Sequence, residues 1–242
     1  MALVNTLRVV LLLLGVALAG CSLPPATQVI DNHIRYQEFV PPAGVGPPVL
    51  VLSGASGPFP IEYIAKDLAA HGYDVLLCAG KDFRPASGGN DSLRKMISVL
   101  QASPHARAEK VAVIGLSLGG TSAIQYASTD PDLVSVSLAY YPATSGPWIR
   151  DQAEVVRQLK VPTIVFAGEV DTGPITMGYR CCMADTIRAM SATAKNLGAP
   201  FELHVYPGAE HDFVWLSSAN YNRSAAEDSW RRTLAALRQY LT

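Results

Sequence analysis

Charge is scarce in this chain: only 16% of its 242 residues are Asp, Glu, Lys or Arg, and 19 basic against 20 acidic side chains leave a formal net charge of −1. A row of nucleic-acid phosphates is held by a basic surplus that this composition lacks, so nucleic acid is not an expected partner. Cysteine is as sparse, at four residues. No histidine or second cysteine pair stands near them at zinc-ligand spacing, so no metal is expected, and no motif implies a cofactor. No apolar run reaches the roughly 18 residues of a membrane-crossing helix. No internal repeat or low-complexity tract stands out either.

Apolar residues, 49% of the chain, fall instead in short bounded runs, the distribution of a single globular α/β domain. The runs 49–52, 75–77, 111–114, 134–139 and 163–166 are nearly continuous, as in strands buried on both faces of a parallel sheet, and 201–206 alternates more. Between them lie stripes at helical spacing. Ile61, Ile64, Ala65 and Leu68 precede the stop Gly72, and Leu93, Met96, Ile97 and Leu100 follow the capping candidates Asn90, Asp91 and Ser92. Ile187, Met190, Ala194 and Leu197 precede Gly198, and Trp230, Leu234, Leu237 and Leu241 close the chain. Strands alternating with helices predict a doubly wound, mostly parallel sheet with helices on both faces.

The N-terminus reads as an address. Arg8 precedes an apolar run over 9–19, and the run ends in Leu18-Ala19-Gly20-Cys21, which resembles the bacterial lipobox. Residues 1–20 are therefore expected to be a signal peptide, Cys21 the lipidated first residue of the mature chain, 21–30 a tether and 31–242 the folded domain. Cleavage without lipidation would fit the same segment. Ser22 after the cysteine resembles the outer-membrane sorting pattern, so a periplasm-facing lipid anchor is expected as the only tie to a membrane. Cys78 closes the apolar run 73–78 and reads as a small core residue. Pairing among Cys78, Cys181 and Cys182 is not legible from spacing, although an exported chain meets an oxidising compartment.

Gly115-Leu116-Ser117-Leu118-Gly119 follows the run 111–114 and opens a segment, 121–128, that can continue as helix. A serine between a strand and a helix, flanked by glycines that let neighbouring backbone approach, has the setting of a nucleophile elbow. Its hydroxyl needs a base, and of the five histidines only His211 follows the last sheet strand, in the turn-rich Pro207-Gly208-Ala209-Glu210-His211-Asp212. The acid that orients the imidazole is expected just past 163–166, where Asp171 is preferred over Glu169; Asp212 lies too close to His211 in the chain. A tetrahedral intermediate requires two backbone donors. Leu118 supplies one and the loop 53–57 the other, with Ala55 preferred and Ser56 close behind.

In these pieces the chain resembles the dienelactone hydrolase family of α/β-hydrolases, over about residues 49–241. The pieces are Gly115 to Gly120, Gly168-x-x-Asp171, Val205-Tyr206-Pro207-Gly208-Ala209-x-His211-x-Phe213, and Tyr221-Asn222-x-x-Ala225-Ala226-x-Asp228-x-Trp230. The resemblance implies an α/β-hydrolase fold without a lid domain, and puts nucleophile, acid and base on Ser117, Asp171 and His211. It also implies departures: the family's elbow cysteine and oxyanion-loop glutamate are replaced by Ser117 and the small residues around Ala55. Of the two arginines that hold a substrate carboxylate, Arg84 matches one, and the other position is Trp215. The expected function is hydrolysis of carboxylic esters through an acyl-enzyme, on short uncharged esters ahead of dienelactone. Lactonase or thioesterase chemistry, or a non-catalytic ligand-binding lipoprotein of the same fold, are the alternatives.

Overall fold

The computed structural model describes residues 25–30, 33–83, 89–107, 109–145, 148–173, 175–176 and 179–241. The signal segment 1–20, Cys21 and Arg84 lie outside the described residues.

An eight-stranded sheet runs in the spatial order β1 (Gln28–Ile30), β2 (Ile34–Phe39), β4 (Asp74–Cys78), β3 (Pro48–Leu52), β5 (Val111–Leu116), β6 (Val134–Tyr140), β7 (Thr163–Gly168) and β10 (Phe201–Tyr206). Strand β2 is antiparallel to both its neighbours, and every other adjacent pair is parallel. Strands β8 (Ile175–Thr176) and β9 (Tyr179–Arg180) form a separate antiparallel ribbon. Regular structure thus begins inside the stretch read as a tether: Gln28 pairs with Tyr36, and the Gln37 side chain donates to the Pro25 carbonyl. A three-residue strand at a sheet edge is too short to show a pattern in the sequence.

The continuous apolar runs are strands covered on both faces. Val49 and Val51 of β3 pack with α1 (Glu62–Ala70) and α6 (Arg223–Tyr240), whereas Leu50 and Leu52 pack with α2 (Gly89–Ala102) and α3 (Leu118–Thr129). Helices α4 (Gln152–Gln158) and α5 (Ala184–Leu197) extend that second layer over β6 and β7, through Val156, Ile187 and Met190. The two-residue alternation of a strand sends successive side chains to opposite layers, and each fully buried leucine or valine contributes about 1.5–3 kcal/mol. Cys78 belongs to this core and is free. Asn222 caps α6 by accepting from the Ala225 amide, and Gly198 ends α5 in the left-handed conformation. Among the described residues no helix is long and apolar enough to cross a membrane.

Parallel strands end together, so the segments after β3, β5, β6, β7 and β10 emerge along one edge of the sheet, where a ligand crevice forms in such folds. At the opposite edge lies a buried acid. Asp74 opens β4 with 0% exposure, and neither carboxylate oxygen has a hydrogen-bond partner. Burial first, then the charge of Glu38, push its carboxyl up from 3.8 to about 6, while His105 pulls the other way. A carboxyl whose value is higher in the folded than in the unfolded chain is ionised at the expense of the fold. Stability is therefore lost as pH rises between the two values and stays lower above them. Asp74→Asn is expected to raise the unfolding free energy at pH 8 by on the order of 1–2 kcal/mol, with the gain gone by about pH 4. Urea unfolding at both pH values checks this; an equal gain at both would contradict it.

Candidate active site

Ser117 is the single residue between β5 and α3, and its backbone is left-handed, with φ 52° and ψ −113°. So sharp a turn is possible because neighbouring backbone comes very close. A Cβ on Gly119 would lie 2.2 Å from the Leu52 carbonyl oxygen, and one on Gly115 2.1 Å from that of Gly119. The Ser117 amide donates to the Tyr140 carbonyl at 2.9 Å, which ties the turn to the end of β6. The hydroxyl stands at the rim of a cavity of about 480 Å³.

His211 and Asp171 meet it there. The Ser117 hydroxyl donates to His211 Nε2 at 3.1 Å, and Nδ1–H of the same ring donates to the Asp171 carboxylate at 3.0 Å. The other Asp171 oxygen accepts from the Gly173 amide at 2.7 Å, and the carboxylate is buried, with its side chain 1% exposed. Such a chain fixes the imidazole tautomer and orientation, so a proton on Ser117 has a path to Nε2 while a carboxylate faces the positive charge that results. Glu169 is turned away: it is exposed, accepts from the Gly208 amide and lies 3.8 Å from Arg188.

The histidine loop is held by aromatic packing. Phe213 is fully buried against Tyr140, Tyr141 and Tyr206, and the Tyr141 ring meets the imidazole edge-on at 4.7 Å. Tyr141 has φ 35° and Asp212 φ 61°; with Ser117 they are the non-glycine residues of left-handed backbone among the described residues, and all three line the one cavity. Strained backbone of this kind clusters at active sites and ligand clamps, which makes this cavity the candidate site. Asp212 Oδ1 lies 3.8 Å from His211 Nε2, on the serine side of the ring rather than the Asp171 side. Burial raises its carboxyl, the His211 charge opposes that, and Asp171 adds to it.

The remaining predicted residues fall into place unevenly. Leu118 is the first residue of α3, so its amide has no acceptor within the helix. Ala55 and Ser56 line the cavity, in a loop close enough that a Cβ on Gly54 would lie 3.2 Å from Ser117 Cβ. Trp215 also lines it. Cys181 and Cys182 are bonded to each other, a pairing that no spacing argument offered. They sit behind the acid loop, and their sulfurs lie within 4.8 Å of a His211 ring nitrogen. Spacing along the chain gives no sign of this approach, because the fold brings His211 to cysteines 29 and 30 positions before it. Sulfurs joined to each other present no thiolate, and both ring nitrogens are engaged by Ser117 and Asp171.

Residues 81–241 match the model of the dienelactone hydrolase family. A "Putative carboxymethylenebutenolidase" of Saccharolobus solfataricus is 32% identical over 132 residues, covering 54% of this chain and 45% of that protein. The chain spans about half the length of the curated relatives it matches. Among solved structures, a "Putative Dienelactone Hydrolase" of Klebsiella pneumoniae superposes with a TM-score of 0.70 at 21% identity, covering 86% of this chain and 93% of that one. Esterase 2 of Thermogutta terrifontis in its apo form gives 0.64 at 17% identity, covering 90% and 96%. Both similarities carry the α/β-hydrolase fold.

The acid loop offers a direct test of this geometry. Gly173 has φ 51°, and a Cβ there would lie 2.6 Å from Cys181 Sγ. Gly173→Ala is expected to shift the loop that holds Asp171, slowing modification of Ser117 by a fluorophosphonate about tenfold or more. The thermal midpoint should fall by only about 2–4 °C, the effect of roughly 1 kcal/mol of left-handed strain. Unchanged labelling would show that the acid loop does not govern the serine.

Proposed function

The chain belongs to the dienelactone hydrolase family, and from that premise we propose that it is a serine hydrolase of carboxylic esters working through an acyl-enzyme. One observation carries the reading: the 3.1 Å and 3.0 Å contacts that connect Ser117, His211 and Asp171. Ser117 Oγ attacks the ester carbonyl carbon as its proton passes to His211 Nε2. The Asp171 carboxylate stabilises the imidazolium, and the oxyanion accepts from the backbone amides of Leu118 and Ala55. Collapse of the tetrahedral intermediate breaks the bond to the alkoxy oxygen, which leaves as the alcohol with the proton from Nε2. Water then attacks the acyl-enzyme, His211 takes its proton, and the acid departs as Ser117 regains its hydrogen.

Lactone and thioester cleavage would use the same groups and differ in the shape of the cavity. Ester substrates are favoured because Ser117 stands where a thiol would suit the family's carboxylated lactone, and because Trp215 occupies the position of the second arginine implied by the resemblance. We extend the proposal to location: Leu18-Ala19-Gly20-Cys21 supports lipidation at Cys21 and a periplasm-facing membrane anchor. A folded domain beginning near Gln28 leaves a short tether to such an anchor.

Ser117→Ala and His211→Ala are each expected to lower kcat on p-nitrophenyl acetate by about 10⁴-fold or more, and the double variant by little beyond either, since the three groups act as one unit. Asp171→Asn should also be severe. Near-full turnover by Ser117→Ala would end the reading. For the anchor, Cys21→Ser should move the protein from the membrane to the soluble fraction of the cells that export it. An unmodified Cys21 in the mature native protein would contradict lipidation.

A further inference from the structure

We propose that the preferred ester carries a cationic alkylammonium group on its alcohol side, received by Asp212 and Glu210 beside the Trp215 indole. The inference rests on the ester-hydrolase reading and specifies its substrate class.

Asp212 is not needed to orient the base, because Asp171 already holds Nδ1. Its carboxylate lies instead 3.8 Å from Nε2, the atom that faces Ser117 and delivers the proton to the departing alcohol. A leaving group that takes its proton from Nε2 comes within reach of this carboxylate. Asp212 has left-handed backbone, and at 32% exposed its side chain remains open to a ligand. Glu210, exposed on the same loop, lines the same cavity. The Trp215 amide donates to the Asp212 carbonyl at 2.8 Å, so the two residues share one turn, and both line the cavity.

Acidic side chains predominate among the described residues of the lining. Among its described residues Glu210 and Asp212 are the acids, and no lysine or arginine accompanies them. Across the Gly54–Gly57 ridge a second cleft holds Arg35 and Lys81, but these are balanced there by Glu62 and Asp82. An ammonium ion entering beside His211 meets two carboxylates and an aromatic wall, the combination that recognises alkylated cations. A carboxylated substrate meets like charge from these two groups. The pull of burial on the Asp212 carboxyl acts in the same sense, since a bound cation restores the stabilisation that water no longer supplies.

The test compares isosteres on the full chain: 2-(trimethylammonio)ethyl acetate against 3,3-dimethylbutyl acetate, with p-nitrophenyl acetate as the reaction control. The expected kcat/KM ratio favours the cationic ester about tenfold, carried mainly by KM. Asp212→Asn and Glu210→Gln should each move the ratio toward one, and so should added salt. The ratio is taken within each variant, so a general loss of rate does not disturb it; should Asp212→Asn fail to fold, Glu210→Gln and the salt series give the same readout. A wild-type ratio of one or less, or a preference that survives both substitutions, overturns the proposal. In that case p-nitrophenyl acetate turnover leaves the hydrolase reading standing. If no ester is turned over and Ser117 resists fluorophosphonate, the hydrolase reading fails and this inference fails with it.

Discussion

The close passage of α3 over the end of β3 is the contact on which the site depends. Helix α3 can start one residue after β5 only if its first turn lies directly against the β3 carbonyls, and Gly119, within 2.2 Å of Leu52 O by its absent Cβ, permits that. The same approach fixes where Ser117 stands and brings the 53–57 loop alongside it. A larger side chain at 119 would push the helix outward and carry the serine away from His211 before any charged group was altered. Burial of the Leu50 and Val51 runs between two helical layers supplies the rigidity against which such a turn can be held.

Three segments then contribute one left-handed residue each: Ser117 after β5, Tyr141 after β6 and Asp212 after β10. Each is costly alone. They persist because the surrounding structure over-determines them: the Tyr141 amide donates to Phe166 O at 2.7 Å, the Ser117 amide to Tyr140 O, and Phe213 anchors the loop of Asp212 in the aromatic core. Stability is thus spent on holding the imidazole between two carboxylates, Asp171 on the Nδ1 side and Asp212 near Nε2. The first is hydrogen-bonded to the ring, and the second stands beside the nitrogen that faces Ser117.

Much of this was legible from sequence because its signals are local. Continuous apolar runs mark strands covered twice, and positions just past those runs mark the edge where Ser117, Asp171 and His211 gather. Asp171 is preferred over Glu169 on loop position alone, and the structure brings Asp171, not Glu169, to the histidine. Other features carry no local signal. Tyr141 and Asp212 adopt left-handed backbone without a glycine to announce it, and β1, at three residues, is too short to stand out from a tether. The bond between adjacent Cys181 and Cys182, and their approach to His211, are products of the fold and not of spacing along the chain.

The central claim is that Ser117 is the atom-bearing residue through which an acyl group passes. Rapid acid quench of the full chain with p-nitrophenyl acetate, followed by peptide mass analysis, tests it most directly. The account predicts an acetyl increment on the peptide containing Ser117 that builds before steady state and is absent from Ser117→Ala. Ester turnover with no acetylated Ser117, or with the increment on another residue that persists in Ser117→Ala, would contradict it.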